Sequence, residues 1–196
     1  MKILPRTDDN IPQQVYIFLV NISQRQLFRS YRLMVAILAL IFAILVLAGG
    51  SYAQDKLIIL VRHAEKADET SEDPELSETG RRRVDRLTKI AGRYRPGAFH
   101  STDLKRTRDT IRPLAEKRGK EIEIYDPRQP KELFDKILKS SIKRHIVSGH
   151  SNTIPGLANV ILSKELFRNL QDSEYSVIWK IRIRNGRVVS AELLDY

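Results

Sequence analysis

Short apolar runs and amphipathic segments alternate along the second part of the chain, residues 54–196. The first run, Lys56–Val61, is continuously apolar after its lysine and predicts a strand buried on both faces. Three shorter runs predict further strands, at residues 98–101, 121–125 and 145–148. Apolar positions at helical spacing predict four helices, over residues 77–94, 103–118 and 131–140 and from residue 152 onward.

The last part of the chain predicts a β-hairpin. Asn185-Gly186 separates two runs of alternating character, residues 175–183 and 187–194, and an Asn-Gly pair in this setting is a strong hairpin signal. Strands that alternate with helices indicate an α/β fold. We therefore predict a three-layer sandwich with a mostly parallel central sheet, helices on both faces and a C-terminal hairpin.

A longer apolar block, residues 33–48, stands apart from this pattern because it contains no charged or polar side chain. Three basic side chains precede it: Arg25, Arg29 and Arg32. One interpretation is a secretory signal peptide, with Ser51-Tyr52-Ala53 as small residues before a cleavage at Gln54. A second is an uncleaved membrane anchor. A third is a buried core helix, although the block has no polar face.

The first two interpretations share one consequence. The positive-inside rule places the basic N-terminus in the cytoplasm, so the rest of the chain crosses the membrane. We expect an N-terminal extension over residues 1–53 and a single exported domain over residues 54–196. That domain is then periplasmic or membrane-anchored on the non-cytoplasmic side, with membrane contact possible through residues 33–50.

Composition narrows the chemistry. The 196-residue chain has no cysteine, which excludes disulfides, thiolate metal sites and a cysteine nucleophile. Its formal net charge of +10 favours anionic partners. No basic stripe is interleaved with aromatic residues, so nucleic acid is not an expected partner.

Three polar clusters follow predicted strands. Arg62–Glu65 comes after the first strand, Ser101–Thr107 after the second and Gly149–Asn152 after the fourth. Because open α/β sheets bind ligands at the carboxyl ends of their strands, we expect these clusters to meet.

Two arginines and two histidines stand out in the clusters: Arg62, Arg106, His63 and His150. Arginine forks match phosphate oxygens, and an imidazole can attack phosphorus to form a covalent intermediate. Phosphoryl transfer needs positioning and positive charge, which these side chains supply without a metal or another cofactor.

The clusters resemble the three motifs of the histidine phosphatase superfamily, also called phosphoglycerate-mutase-like. Leu60–Glu65 resembles its Arg-His-Gly signature, with Ala64 in place of the glycine. The resemblance, to a compact member, implies that His63 is the nucleophile. It also implies that Arg62, Arg106 and His150 bind the phosphate. We add Ser151, the residue after the second histidine, to this phosphate-binding set.

The proton donor is the weakest part of the resemblance. The family's main branch has a glutamate after the third strand, where this chain has Asp126, our first candidate. Glu65, two residues from His63, is the second. The alternatives are a turn or helix cap for Asp126, and for Glu65 an ion pair with a neighbour such as Lys66 or Arg62.

Together these features predict a metal-independent phosphomonoester hydrolase, similar to histidine acid phosphatases and located outside the cytoplasm. The expected partner is a phosphorylated small molecule, saccharide or protein. The alternative is a non-catalytic module that binds a phosphorylated ligand. A metal hydrolase is disfavoured because a His-Glu-x-x-His motif and cysteines are both absent from the sequence.

Overall fold

The structure, a computed structural model, describes residues 29–41, 55–68 and 70–196. The chain divides into two compact units, residues 1–51 and 52–196. In the first unit, residues 29–41 form a helix, α1, whose side chains are exposed. Among the described residues, no helix is both long enough and apolar enough to cross a membrane.

Much of the N-terminal prediction lies outside the described residues. The apolar block continues from α1 through residues 42–48, and the proposed cleavage site, residues 51–53, follows it. The signal-peptide and membrane-anchor interpretations therefore stay predictions.

The second unit contains one six-stranded sheet flanked by four helices. The strands are β1 (Lys56–Arg62), β2 (Ala98–Ser101), β3 (Ile122–Ile124), β4 (Arg144–Gly149), β5 (Val177–Arg184) and β6 (Arg187–Asp195). The helices are α2 (Glu78–Gly92), α3 (Lys105–Lys117), α4 (Pro130–Lys139) and α5 (Thr153–Leu162). The strand order is β3-β2-β4-β1-β5-β6. The first four strands in this order are parallel to one another. Strand β5 is antiparallel to β1, and β6 is antiparallel to β5.

The completely buried strand β1 lies between two cores. Ile58 and Leu60 belong to a cluster that includes side chains of α4 and α5. Leu57, Ile59 and Val61 belong to a cluster on the other face that includes side chains of α2 and α3. Successive strand residues point to opposite faces, so a continuous apolar run is what this position requires. The predicted three-layer α/β fold is confirmed.

Local signals set several element ends. The Ser77 hydroxyl caps α2 by accepting from the N–H of Gly80 at 3.0 Å. Gly119 follows α3 with φ of 60°, a left-handed conformation that glycine adopts without strain. The start of α3 is two residues later than predicted: Leu104, extended and without a side-chain cap, precedes Lys105.

The C-terminal hairpin has the predicted turn. Asn185 and Gly186 have φ of 51° and 73°, the pair of positive values that a type I′ turn needs. The register of the parallel strands then positions the clusters. Arg62 pairs with Gly149, and Ser101 pairs with Ser148, so three strands end side by side.

Candidate active site

His63 lies at the end of β1, buried to 4% exposure. Its backbone N–H donates to the carbonyl of Gly149 at 2.8 Å, which extends the β1–β4 pairing by one step. The next N–H, of Ala64, donates to the Thr110 hydroxyl on α3 at 2.9 Å. The backbone on both sides of the imidazole is therefore fixed by neighbouring elements.

The His63 ring is oriented by one hydrogen bond. Its Nδ1 lies 2.8 Å from the carbonyl oxygen of Ala64. A carbonyl only accepts, so Nδ1 carries the proton and the neutral ring has a free lone pair on Nε2. Burial, opposed by the Ala64 bond and assisted by the charges of the nearby His150 and arginines, lowers the pKa of His63 to about 3. The ring is therefore uncharged at neutral pH and keeps a lone pair on Nε2.

His150, at the end of β4, faces His63. The two ring centroids are 5.5 Å apart at an interplanar angle of 64°. The His150 Nε2 is bonded to the Thr102 hydroxyl at 3.0 Å, which leaves Nδ1 without a hydrogen-bond partner among the described residues. Burial, and then the charges of Arg106 and Arg62, lower the pKa of His150 to about 4, so a bound anion would raise it.

Arg62, only 4% exposed, is held by the segment before β5. Its Nη1 donates to three backbone carbonyls, those of Gln171 at 2.7 Å, Asp172 at 3.2 Å and Glu174 at 3.1 Å. Its guanidinium carbon lies 4.0 Å from the ring centroid of Tyr175, a cation–π contact. The Nε is buried and has no hydrogen-bond partner among the described residues.

Arg106, in the first turn of α3, is held in the same way by a different loop. Its Nη1 donates to the carbonyl of Glu72 at 3.1 Å and lies 3.8 Å from a carboxylate oxygen of Asp73. Its Nε is also buried without a partner among the described residues.

Buried charged N–H groups that lack partners are costly, so two arginines with the same free edge indicate an anion site. Each uses Nη1 to bind the protein, and the edge formed by Nε and Nη2 matches two phosphate oxygens. Among the described residues, no group of three or more acidic or histidine side chains is placed to hold a metal ion.

The two candidate proton donors both have arginine partners. Glu65 forms a bidentate ion pair with Arg83 of α2, with distances of 2.7 and 2.9 Å. Although burial raises its pKa, the bonds to Arg83 outweigh this and the pKa is lowered. The structure thus supports the ion-pair interpretation, with Arg83 as a partner of Glu65.

Asp126 follows β3 and accepts hydrogen bonds from the side chain and backbone N–H of Arg128. These bonds hold its pKa well below the usual range. Among the described residues, no hydrogen bond or ion pair joins Asp126 to His63. Its contacts are those of the turn that we gave as the alternative, and its catalytic role stays a prediction.

Ser151 follows His150, but its side chain makes no hydrogen bond within the described part of the chain. Its backbone carbonyl accepts from the N–H of Leu170 at 2.8 Å. Sequence reasoning also missed two contributors, Thr102 and Tyr175. Thr102 lies inside the second motif, so its position was available as a signal. Tyr175 is distant from all three motifs, and no local pattern marks it.

The structure is an α/β domain with two arginines and two histidines gathered at the carboxyl edge of its sheet. Residues 58–127 match the family model of the histidine phosphatase superfamily (branch 1). Over that stretch the chain is similar to this superfamily. A search of curated protein sequences found no significant match.

Solved structures agree with this fold. A mycobacterial glucosyl-3-phosphoglycerate phosphatase in complex with inorganic phosphate is 14% identical, with a TM-score of 0.59; the match covers 72% of this chain and 97% of that one. A candidate phosphohistidine phosphatase, SixA from Agrobacterium tumefaciens, is 19% identical, with a TM-score of 0.56 and coverage of 72% and 98%. Phosphoserine phosphatase from Entamoeba histolytica, in complex with phosphoserine, is 13% identical, with a TM-score of 0.56 and coverage of 69% and 96%.

Proposed function

We propose that the domain hydrolyses phosphate monoesters through a phosphohistidine intermediate on His63. The observation that carries this proposal is the state of the His63 ring. It is neutral, its Nδ1 proton is held by Ala64, and its Nε2 lone pair is free. The match of residues 58–127 to the family model of the histidine phosphatase superfamily supports the same conclusion.

In the first step, the Nε2 lone pair of His63 attacks phosphorus as the bond from phosphorus to the leaving oxygen breaks. The electron pair of that bond departs with the leaving group, which takes a proton from solvent or from an acid. The free edges of Arg62 and Arg106 hold the equatorial oxygens, where negative charge is concentrated. His150 can donate a further hydrogen bond once the anion has raised its pKa.

In the second step, water attacks the phosphorus of the phosphohistidine and the bond from phosphorus to Nε2 breaks. One proton of the water stays on the oxygen that joins the released phosphate, the other passes to solvent, and His63 returns to its neutral form. The same arginine edges serve both steps because the phosphoryl group stays between them. None of the steps assigned to these residues requires a metal ion.

The proton donor bears on the choice of substrate. Glu65 and Asp126 are both ion-paired carboxylates with lowered pKa values, so neither favours the protonated form that an acid needs. We therefore propose substrates whose leaving group needs no protein acid, such as an aryl phosphate or a phosphate bonded to nitrogen. The structural likeness to a candidate phosphohistidine phosphatase supports the second type. A phosphorylated small molecule or protein could carry either group, whereas a saccharide phosphate is an alkyl ester whose leaving oxygen would need an acid.

Hydrolysis of p-nitrophenyl phosphate by the full chain tests this function. The assay is run with a chelator present, beside His63→Ala and a matched control, His145→Gln, which changes a buried histidine of β4 outside the site. Turnover in the wild type and the control, but not in His63→Ala, is the expected result. Equal turnover in all three would show that His63 is not the nucleophile.

A non-catalytic module is the second candidate, and the paired state of both candidate acids is the observation that favours it. The arginine edges could hold a phosphorylated ligand without turnover. Phosphate binding by the wild type, measured by calorimetry, with no hydrolysis of activated aryl phosphates would identify this case.

We also propose that the domain acts outside the cytoplasm, since basic residues precede the apolar block. The intact mass of the chain recovered from the cells that make it distinguishes a cleaved signal peptide from an uncleaved membrane anchor. A start at Gln54 indicates cleavage, whereas the full mass in the membrane fraction indicates an anchor. Recovery of the full-length chain from the soluble cytoplasm would contradict export.

A further inference from the structure

A basic cleft of about 300 Å³ lies at the edge of the sheet opposite the active site. Its walls are the first residues of β1 and β4, the end of β5 and the segment that follows α2. We call it the amino-edge cleft. Six of its lining side chains are basic: Lys56, Arg93, Lys143, Arg144, Arg182 and Arg184. Asp55 is its one acidic lining residue.

Two of these cations already have partners. The Nζ of Lys56, at 3% exposure, donates to the carbonyls of Ser140 and Ile142. Arg184 contacts the Asp55 carboxylate at 3.4 Å, and both side chains are well exposed. The one acidic lining residue of the cleft, Asp55, is therefore already paired with one of the basic residues.

The other four cations form no ion pair within the described part of the chain, and all four are exposed: Arg93, Lys143, Arg144 and Arg182. They come from β4, β5, the segment that follows α2 and the segment that precedes β4, so the fold, not one charged helix face, brings them together. Burial lowers the pKa of Lys56, and the neighbouring charge of Lys143 lowers it further. Such a cleft attracts a ligand with several negative charges.

The position of the cleft along the chain favours a membrane as the source of that ligand. Six residues, 49–54, separate the apolar block from Asp55. A chain of that length spans at most about 20 Å. A bilayer that holds the apolar block would therefore lie within reach of the cleft.

We propose that the amino-edge cleft binds the anionic headgroups of phospholipids in the membrane that anchors residues 33–48. This inference rests on the anchor interpretation but not on the chemistry at His63. β1 runs from the cleft at Lys56 to the site at Arg62, about 20 Å at about 3.3 Å per residue. Headgroup binding at one edge would turn the active site away from the bilayer and towards soluble substrates.

The absence of cysteine permits a sharp test with a single introduced thiol. Val189, an exposed residue of the cleft, is replaced in the full chain by cysteine and labelled with a polarity-sensitive fluorophore. A second chain carries the label at Lys105→Cys, an exposed position at the catalytic edge. Both are reconstituted into vesicles of phosphatidylcholine alone or with added phosphatidylglycerol.

The expected result is a blue shift at position 189 in the anionic vesicles, not in the neutral ones and not at position 105. Raised salt should reverse it, because exposed charges are screened within about 10 Å at 0.1 M. Adding Arg144→Gln and Arg182→Gln should weaken headgroup binding about 30-fold, since each basic residue near an anionic surface contributes about fivefold. Neither residue touches the active site, so retained aryl phosphate hydrolysis, or a retained melting temperature, shows that this variant is folded.

Two results would overturn the proposal. One is an equal shift in neutral and anionic vesicles. The other is a shift caused by pyrophosphate added to neutral vesicles but not by anionic lipid, which would identify a site for soluble polyanions. Failure of the phosphatase proposal leaves the fluorescence experiment unaffected, so the two outcomes are distinguishable.

Discussion

The Nδ1 of His63 lies 2.8 Å from the carbonyl oxygen of Ala64, a bond between adjacent residues. It directs the lone pair of the neutral ring to Nε2. The bond depends on the backbone immediately after β1, which Thr110 holds through the N–H of Ala64. The family signature has glycine where this chain has Ala64, and the bond uses only the backbone. The substitution is therefore compatible with a reactive His63.

The buried histidines predict how stability depends on pH. Burial lowers the pKa of His100 to about 4, with a further contribution from His145, and His63 and His150 are also neutral when folded. Below about pH 6.5 the unfolded chain binds protons that the folded chain does not, so stability falls as pH falls. The loss should continue to about pH 4 for His100 and His150 and to about pH 3 for His63.

The melting temperature should therefore decrease from pH 7 to pH 6 and again to pH 5, in a buffer free of phosphate. His100→Gln, which cannot take up a proton, should show a smaller decrease. A melting temperature that stays constant or rises over this range would contradict the neutral state of the buried rings.

Arg106→Lys should lower kcat/KM about 10²- to 10³-fold, the usual cost of losing a donor to the transition state. Lysine keeps the charge but lacks the Nε edge that the structure leaves free. The matched control is Arg108→Lys on the same helix, where the arginine pairs with the exposed Asp103, and it should stay within about twofold of the wild type. Equal effects of the two changes would show that the edge of Arg106 has no special role.

Tyr175→Leu should lower kcat/KM about tenfold by removing the contact with Arg62. A cation–π contact contributes about 1–2 kcal/mol when it is shielded from water, and about 1.4 kcal/mol corresponds to tenfold in rate. Tyr175→Phe keeps the ring and should keep most of the activity. If the two variants lose activity to the same extent, the hydroxyl of Tyr175 matters and the positioning role is wrong.

Glu65→Gln and Asp126→Asn should each retain hydrolysis of p-nitrophenyl phosphate within about threefold. Glu65→Gln should lower the free energy of unfolding by about 1–2 kcal/mol, because it removes a partly buried bidentate ion pair. Asp126→Asn should leave stability nearly unchanged. A loss of about 10²-fold in kcat for either variant with an alkyl phosphate, whose leaving oxygen does need a proton, would identify that residue as the general acid.

Those parts of the site that follow a strand could be predicted from the sequence. A continuous apolar run fixes β1, and the rule that parallel strands end at one edge brings Arg62, His63 and His150 together. The hairpin could also be predicted from the sequence, because only a few residue pairs fit a type I′ turn.

Contacts between distant segments could not be predicted from local patterns. Arg83 lies in a run of three arginines that resembles a solvated helix face, yet it holds Glu65. Tyr175 and the carbonyls before it reach Arg62 across more than a hundred residues. Such pairs depend on how the helices and the sheet pack against each other. The local sequence around an arginine looks the same whichever distant partner it has. The amino-edge cleft is of the same kind, since it joins residues from several elements.

Trapping of the covalent intermediate tests the account most directly. The full chain is mixed with an aryl phosphate, quenched in alkali within one turnover, digested and examined by mass spectrometry. The account predicts one phosphoryl group on the peptide that contains His63, labile in acid, and none in His63→Ala. Steady turnover with an unmodified His63 peptide at every quench time, or the phosphoryl group on another residue, would contradict the account.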